Sequence, residues 1–249
     1  MMVKKLMINR DNFETDLNIC KYIFEEIPDK LKPCWAGLIL NTFHNYIKDI
    51  PDSIAELYSI IENDNRWQEA HGQFSKIRQF VLNHPTYQPD AFLLLAEKIA
   101  KVTYNASGKS SPFDADSGWY LPSLALTAAT YLEDEKLESE LRATILIVNN
   151  CKRYETVIQS ASELILYRKI DEILWFDWDP IGVNDFGDAR DEYESYVPEF
   201  FNLLKGGATV DEIAECLFKI EKEGMGLIGV MKNCLLIADK IVSLRVDDV

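Results

Sequence analysis

The 249 residues hold 41 acidic against 26 basic side chains, a net charge of −15 with a pI near 4.7, and 47% of them are hydrophobic. Such a composition supplies a full globular core but opposes a polyphosphate backbone or an anionic membrane surface, so the expected partner is a basic protein, not nucleic acid or membrane. Cys20, Cys34, Cys151, Cys216 and Cys234 form no C-x-x-C pair, and no apolar run suits a signal peptide or a bilayer span, which predicts reduced thiols in a soluble cytoplasmic protein.

Helical periodicity dominates from the start. Patterns fit helices over 13–26 and 31–47, and Pro51 opens another through SIAELYSIIE. Over 64–82 the apolar residues Trp67, Ala70, Phe74, Ile77 and Val81 recur at three- and four-residue steps until His84 and Pro85 stop the helix. Asp90 is placed as the N-cap of a helix through FLLLAEKIAKV, and a further helix fits 121–132. Between them lies NASGKSSPFDADSG, a fourteen-residue connection dense in Gly, Ser, Pro and Asp. A loop that long inside a helical protein is either functional or pinned by its own side chains, which makes Asp114, Asp116 and Trp119 a secondary candidate site. The competing role for Asp116 is a helix cap, with Trp119 packing beneath it.

A softer break near 149–154 separates an N-terminal helical module, 1–150, from an acidic C-terminal helical domain, 155–249. The second begins with SELILYRKIDEILWF, a helix entering the acidic segment. Asp188 then caps a helix whose residues Tyr193, Tyr196, Val197, Phe200 and Leu204 share a face, and Pro198 inside it predicts a kink costing roughly 3 kcal/mol. Gly206 and Gly207 end that helix, Thr209 and Glu212 form a capping box for the next, and LIGVMKNCLLIADKIVSL supplies the last. No run of alternating residues between hairpin turns appears. The fold class is therefore mainly α, in two helical modules, the second a small four-helix unit.

Charge is unevenly distributed between these modules. Residues 1–170 hold 23 acids and 19 bases, whereas residues 171–249 hold 18 acids and 7 bases. Between Asp177 and Glu199 there are eight carboxylates against one base, Arg190, interleaved with Trp, Phe and Tyr. Capping uses one or two of those carboxylates. The surplus at Asp185, Asp188, Asp191, Glu192 and Glu194 serves either a cationic partner or solubility alone; Trp178 either seals a small core with Trp175 or, like Tyr193, is an aromatic anchor for the partner.

Motifs for chemistry fail on their spacing. ASGKSS has the end of a phosphate loop, but the first glycine that such a loop needs falls at Thr103. DADSGW opens like a calcium loop, yet its twelfth position is Ala125. The three histidines, His44, His71 and His84, form no i, i+4 pair and sit beside no cysteine, so no metal site is expected. No catalytic residue and no cofactor are assigned.

At WDPIGVND, followed by ARDEYESYVPEFFNLL and GATVDEIAECLFKIEKEGMGL, residues 165–247 resemble a small all-helical bacterial domain family of unknown function. Its marks are a W-D-P-I-G-V turn and a D-E-Y-x-x-Y helix. Domains of this type look like parts of immunity proteins in bacterial toxin systems, including contact-dependent growth inhibition. The resemblance implies no enzyme activity. It implies an acidic cytoplasmic protein that blocks a cognate toxin domain, and the charge of this chain points to a basic toxin, most plainly a nuclease whose cleft is cationic because it holds phosphates. The alternatives are an enzyme with a cleft near the 105–119 loop and a general helical scaffold.

Overall fold

The computed structural model describes residues 22, 24, 25, 27–44, 52–83, 90–108, 121, 122, 124–126, 135–186 and 189–245. These are mainly helical, and no strand occurs among them. The chain divides into two units, Met1–Asn149 and Asn150–Val249.

In the first unit a 3-10 turn, Asp29–Leu31, leads into α1, Lys32–His44, which is followed by α2, Asp52–Ile61. The stripe predicted over 64–82 begins as a 3-10 helix, Asp64–Glu69, and becomes α3, Ala70–Asn83. Asn63 caps it by accepting the Asn65 N–H at 3.2 Å. Trp67, Ala70, Phe74 and Ile77 are buried, as the period requires. Then α4, Asp90–Ala106, packs along α3 and α1. It extends past Asn105, so the long connection starts later than expected. Most of the helix predicted over 13–26, residues 45–47 of the one predicted over 31–47, Pro51, and most of the 105–119 segment lie outside the described residues.

Buried polar pairs lie inside this unit. The Trp35 indole N–H donates to Ile145 O at 3.2 Å, and the hydroxyls of Thr42 and Thr144 meet at 3.0 Å. Gly37 has a packing role, because a Cβ there would stand 2.8 Å from Ile61 Cγ2. Only hydrogen lets α1 approach α2 that closely.

Helix α5, Glu135–Arg153, carries acids in its first turn and Lys152 and Arg153 in its last, complementing the helix dipole at both ends. The second unit continues with α6, Ala161–Glu172, capped by the Ser160 hydroxyl on the Glu163 N–H, then α7, Val197–Lys205, α8, Val210–Lys219, and α9, Met231–Ser243. Helices α6 and α8 each widen into a π turn, Ile173–Trp178 and Ile220–Gly224. The predicted Thr209–Glu212 capping box forms, and Gly207, at φ 86°, provides the left-handed residue beyond α7. Arg245 secures the same end, donating to Leu204 O at 2.9 Å and to Ala208 O at 2.8 Å.

The kink expected at Pro198 is corrected. Residues 190–196 are turns, α7 starts at Val197, and the proline sits in its first turn. There the missing N–H is one that no carbonyl inside the helix would have bonded.

Candidate functional site

The acidic and aromatic segment is folded around one carboxylate. The π turn after α6 buries Leu174, Trp175 and Trp178 while leaving Phe176 and Asp177 exposed. Such wide turns are rare and concentrate at functional places. Asp179 follows at φ 27°, a left-handed conformation that aspartate tolerates better than branched residues do. Its Oδ1 accepts the Val183 N–H at 2.8 Å and the Tyr193 O–H at 2.7 Å, and its Oδ2 accepts the Asn184 N–H at 3.3 Å. Gly182 (φ 69°) turns the chain back, and the Phe186 N–H closes a further turn on Val183 O at 2.9 Å. W-D-P-I-G-V is thus a turn sequence, in which Asp179 replaces missing backbone acceptors.

Beneath the turn lies an aromatic stack. Trp178 meets Tyr193 at 5.5 Å, Tyr196 at 5.9 Å and Phe200 at 6.4 Å between ring centroids. The Trp178 indole N–H donates to Glu221 Oε1 at 2.9 Å, and Glu221 also accepts the Val230 N–H at 3.4 Å and the Cys234 thiol at 3.5 Å. The second π turn therefore contributes a buried acid that ties α8, the start of α9 and the first π turn together. Burial, with Glu221 beside it, pushes the Cys234 thiol up to about 12, so it stays neutral.

A second buried network joins α6 to the turns before α7. Asp171 accepts Arg168 Nη1 at 2.5 Å, Arg190 Nη2 at 2.5 Å and Arg190 Nη1 at 3.1 Å. Burial alone would raise the Asp171 pKa, but the two guanidinium groups outweigh it and hold the carboxyl below its ordinary range. Arg190 also lies 5.1 Å from the centre of the Trp175 ring. Glu194 is buried near them. Burial first, then the charge of Asp171, push its carboxyl up to about 7 against the opposing pull of Arg190 and a hydrogen bond from Asn150. The Tyr167 hydroxyl is buried in the same region, with no hydrogen-bond partner among the described residues.

Glu194 yields a pH prediction with a definite sign. Its folded pKa is raised, so between about 4.5 and about 7 the folded chain holds a proton that the unfolded chain has released. Its contribution to stability is thus largest at the acid end of that window and declines as pH rises through it. Glu194→Gln removes this decline and should stabilise the second unit by about 2 to 3 kcal/mol at pH 8, with little effect at pH 4.5. Urea unfolding of both proteins at the two pH values measures the difference.

The structure separates the predicted partner-binding residues into three groups. Asp185 and Glu192 are exposed and Asp191 is half-buried, while Asp188 lies outside the described residues. Tyr193 and Glu194 are corrected from surface to interior, at 1% and 9% exposure, and Trp178, at 8%, takes the core role that competed with its role as an anchor. The two rings are consumed by the stack and by Asp179 and Glu221, and the carboxyl is enclosed with Asp171 and Asn150. The secondary candidates Asp114, Asp116 and Trp119 lie outside the described residues.

Sequence reasoning passed over Phe176, Ile181 and Phe186, which are 52%, 41% and 65% exposed. It also passed over Asp171, Arg168 and Glu221. One signal for the charge network was available, since a single arginine amid eight carboxylates is the natural counterion for a buried one. Among the described residues no group of three His, Cys, Asp or Glu side chains is placed to hold a metal ion, and no helix is long and apolar enough to cross a membrane. No protein-family model, curated protein or solved structure matches the chain.

Proposed function

We propose that the chain is an immunity protein, acting in the cytoplasm, that binds and neutralises a cognate basic toxin domain, a nuclease, by steric and electrostatic occlusion. One observation carries this reading. The single base of the 177–199 segment, Arg190, is buried against Asp171, so it is turned away from the surface at which Glu192 and Glu199 are exposed. Carboxylates left outward in this way steer a cationic partner into encounter. A nuclease cleft that must hold phosphates is cationic for the same reason that this chain opposes nucleic acid. The resemblance at residues 165–247 points in the same direction.

Co-expression tests the proposal. The chain should restore growth to cells producing the toxic C-terminal domain encoded beside it, and the two polypeptides should co-purify as a stoichiometric complex. Growth arrest that continues unchanged with the chain abundantly expressed would refute it.

A further inference from the structure

Residues 190–196 are turns, so side chains and not a helical ladder fasten them to their neighbours. Arg190 reaches Asp171 of α6, and the Tyr193 hydroxyl reaches Asp179 beyond the π turn. Glu194 makes a different connection. Its carboxyl accepts a hydrogen bond from the Asn150 side chain, in the last turn of α5. The chain leaves α5 soon after, with Glu155 at φ 55° and the Thr156 N–H closing on Cys151 O at 2.7 Å. Two stretches with so few regular backbone bonds depend on such a clasp to stay together.

The surroundings of that carboxyl favour its neutral form, since Glu194 and Asn150 are both buried. From α6 it meets Asp171, whose negative charge opposes a second one, and the Tyr167 hydroxyl; from the end of α5 it meets Tyr154; and from its own turns it meets Arg190 and Asp191. Cys151 stands beside Asp171 in the same cluster, and burial raises it and both tyrosines, so all three stay neutral near pH 7. Arg190 attracts an ionised Glu194, but it gives both Nη1 and Nη2 to Asp171, which also takes Arg168 Nη1. A carboxylate that must share its counterion in this way is costly to keep out of water.

We infer that Glu194 is a proton-operated latch: protonated, it holds the last turn of α5 against the 190–196 turns, and ionised, it moves into water and lets the two part. The attachments of Arg190 to Asp171 and of Tyr193 to Asp179 persist, so the opening is local. The carboxyl titrates at about 7, which sets the change between mildly acid and mildly alkaline conditions. The latch belongs to the fold of the second unit and does not depend on the immunity role.

Amide hydrogen exchange of the full native chain and of Glu194→Gln tests it, with the two compared at the same pH so that intrinsic rates cancel. Glutamine keeps the shape of the side chain and stays neutral. At pH 4.5 the amides of Tyr154, Thr156 and residue 194 should exchange at similar rates in both proteins. At pH 8 they should exchange about a hundredfold faster in the native chain, as expected for a carboxyl released from a pKa of about 7 to one near 4.5. Sub-denaturing urea should leave these rates nearly unchanged, because a local opening exposes little surface, while it accelerates exchange of the Cys234 amide in α9. Asn150→Ala removes the other half of the latch and should free the Tyr154 and Thr156 amides at pH 4.5 as well. Equal protection of the native chain and Glu194→Gln at pH 8 would overturn the latch, as would native protection of both amides in Asn150→Ala. So would exchange that rises with urea in step with Cys234, the mark of global unfolding.

Discussion

Asp171→Asn should destabilise the second unit by about 3 to 5 kcal/mol, the usual penalty when one partner of a buried ion pair is removed and the other stays charged. Asparagine keeps the volume but removes the charge facing both Arg168 and Arg190, which are themselves buried. The loss should depend on pH. Asp171 is one of the charges that raise the Glu194 pKa, so in the variant Glu194 ionises more readily and becomes the remaining local counterion for Arg190. Combining Asp171→Asn with Glu194→Gln should therefore cost more than the sum of the separate changes at pH 8, even though Glu194→Gln alone is stabilising. In the native chain the two acids act with opposite slopes: the lowered Asp171 pKa gives stability that disappears as pH falls through it, and the raised Glu194 pKa gives stability that disappears as pH rises toward 7. Urea unfolding across pH 3 to 8 resolves both.

The second large effect is expected at Asp179. Asp179→Ala deprives the Val183 and Asn184 amides and the Tyr193 hydroxyl of their acceptor. It also places alanine at φ 27°. Lost hydrogen bonds of about 1 kcal/mol each, together with the left-handed backbone term of about 1 kcal/mol, predict destabilisation near 4 kcal/mol. Asp179→Gly relieves the backbone term and should lie below alanine. Asp179→Asn, which keeps one acceptor and tolerates the conformation, should cost least. Thermal melts of the three variants provide the order.

The helices were legible wherever side chains repeat with a helical period. Trp67, Ala70, Phe74 and Ile77 mark α3, and Thr209 with Glu212 and the glycines at 206 and 207 mark the junction of α7 and α8. These signals are local, so composition and spacing suffice to read them. Tyr193 shows where that reasoning stops. It was assigned to a helix on its spacing from Val197 and Phe200, but it belongs to a run of turns, where side-chain direction follows distant partners and not a period of 3.6. Its position is set by Asp179, fourteen residues earlier in the chain. Trp178 faces inward because of Glu221, forty-three residues later. Composition identified an aromatic and acidic segment but not which rings the fold would turn outward, and so Phe176 and Phe186 went unnoticed.

The dependence of association rate on ionic strength tests the central claim most directly, using the full chain and the basic toxin domain proposed as its partner. Between 0.01 M and 1 M salt the screening length falls from ~30 Å to ~3 Å. If exposed carboxylates of the second unit guide a cationic partner, the association rate should fall by about tenfold or more across that range, while dissociation changes far less. An association rate that stays flat over the same range would contradict electrostatic capture.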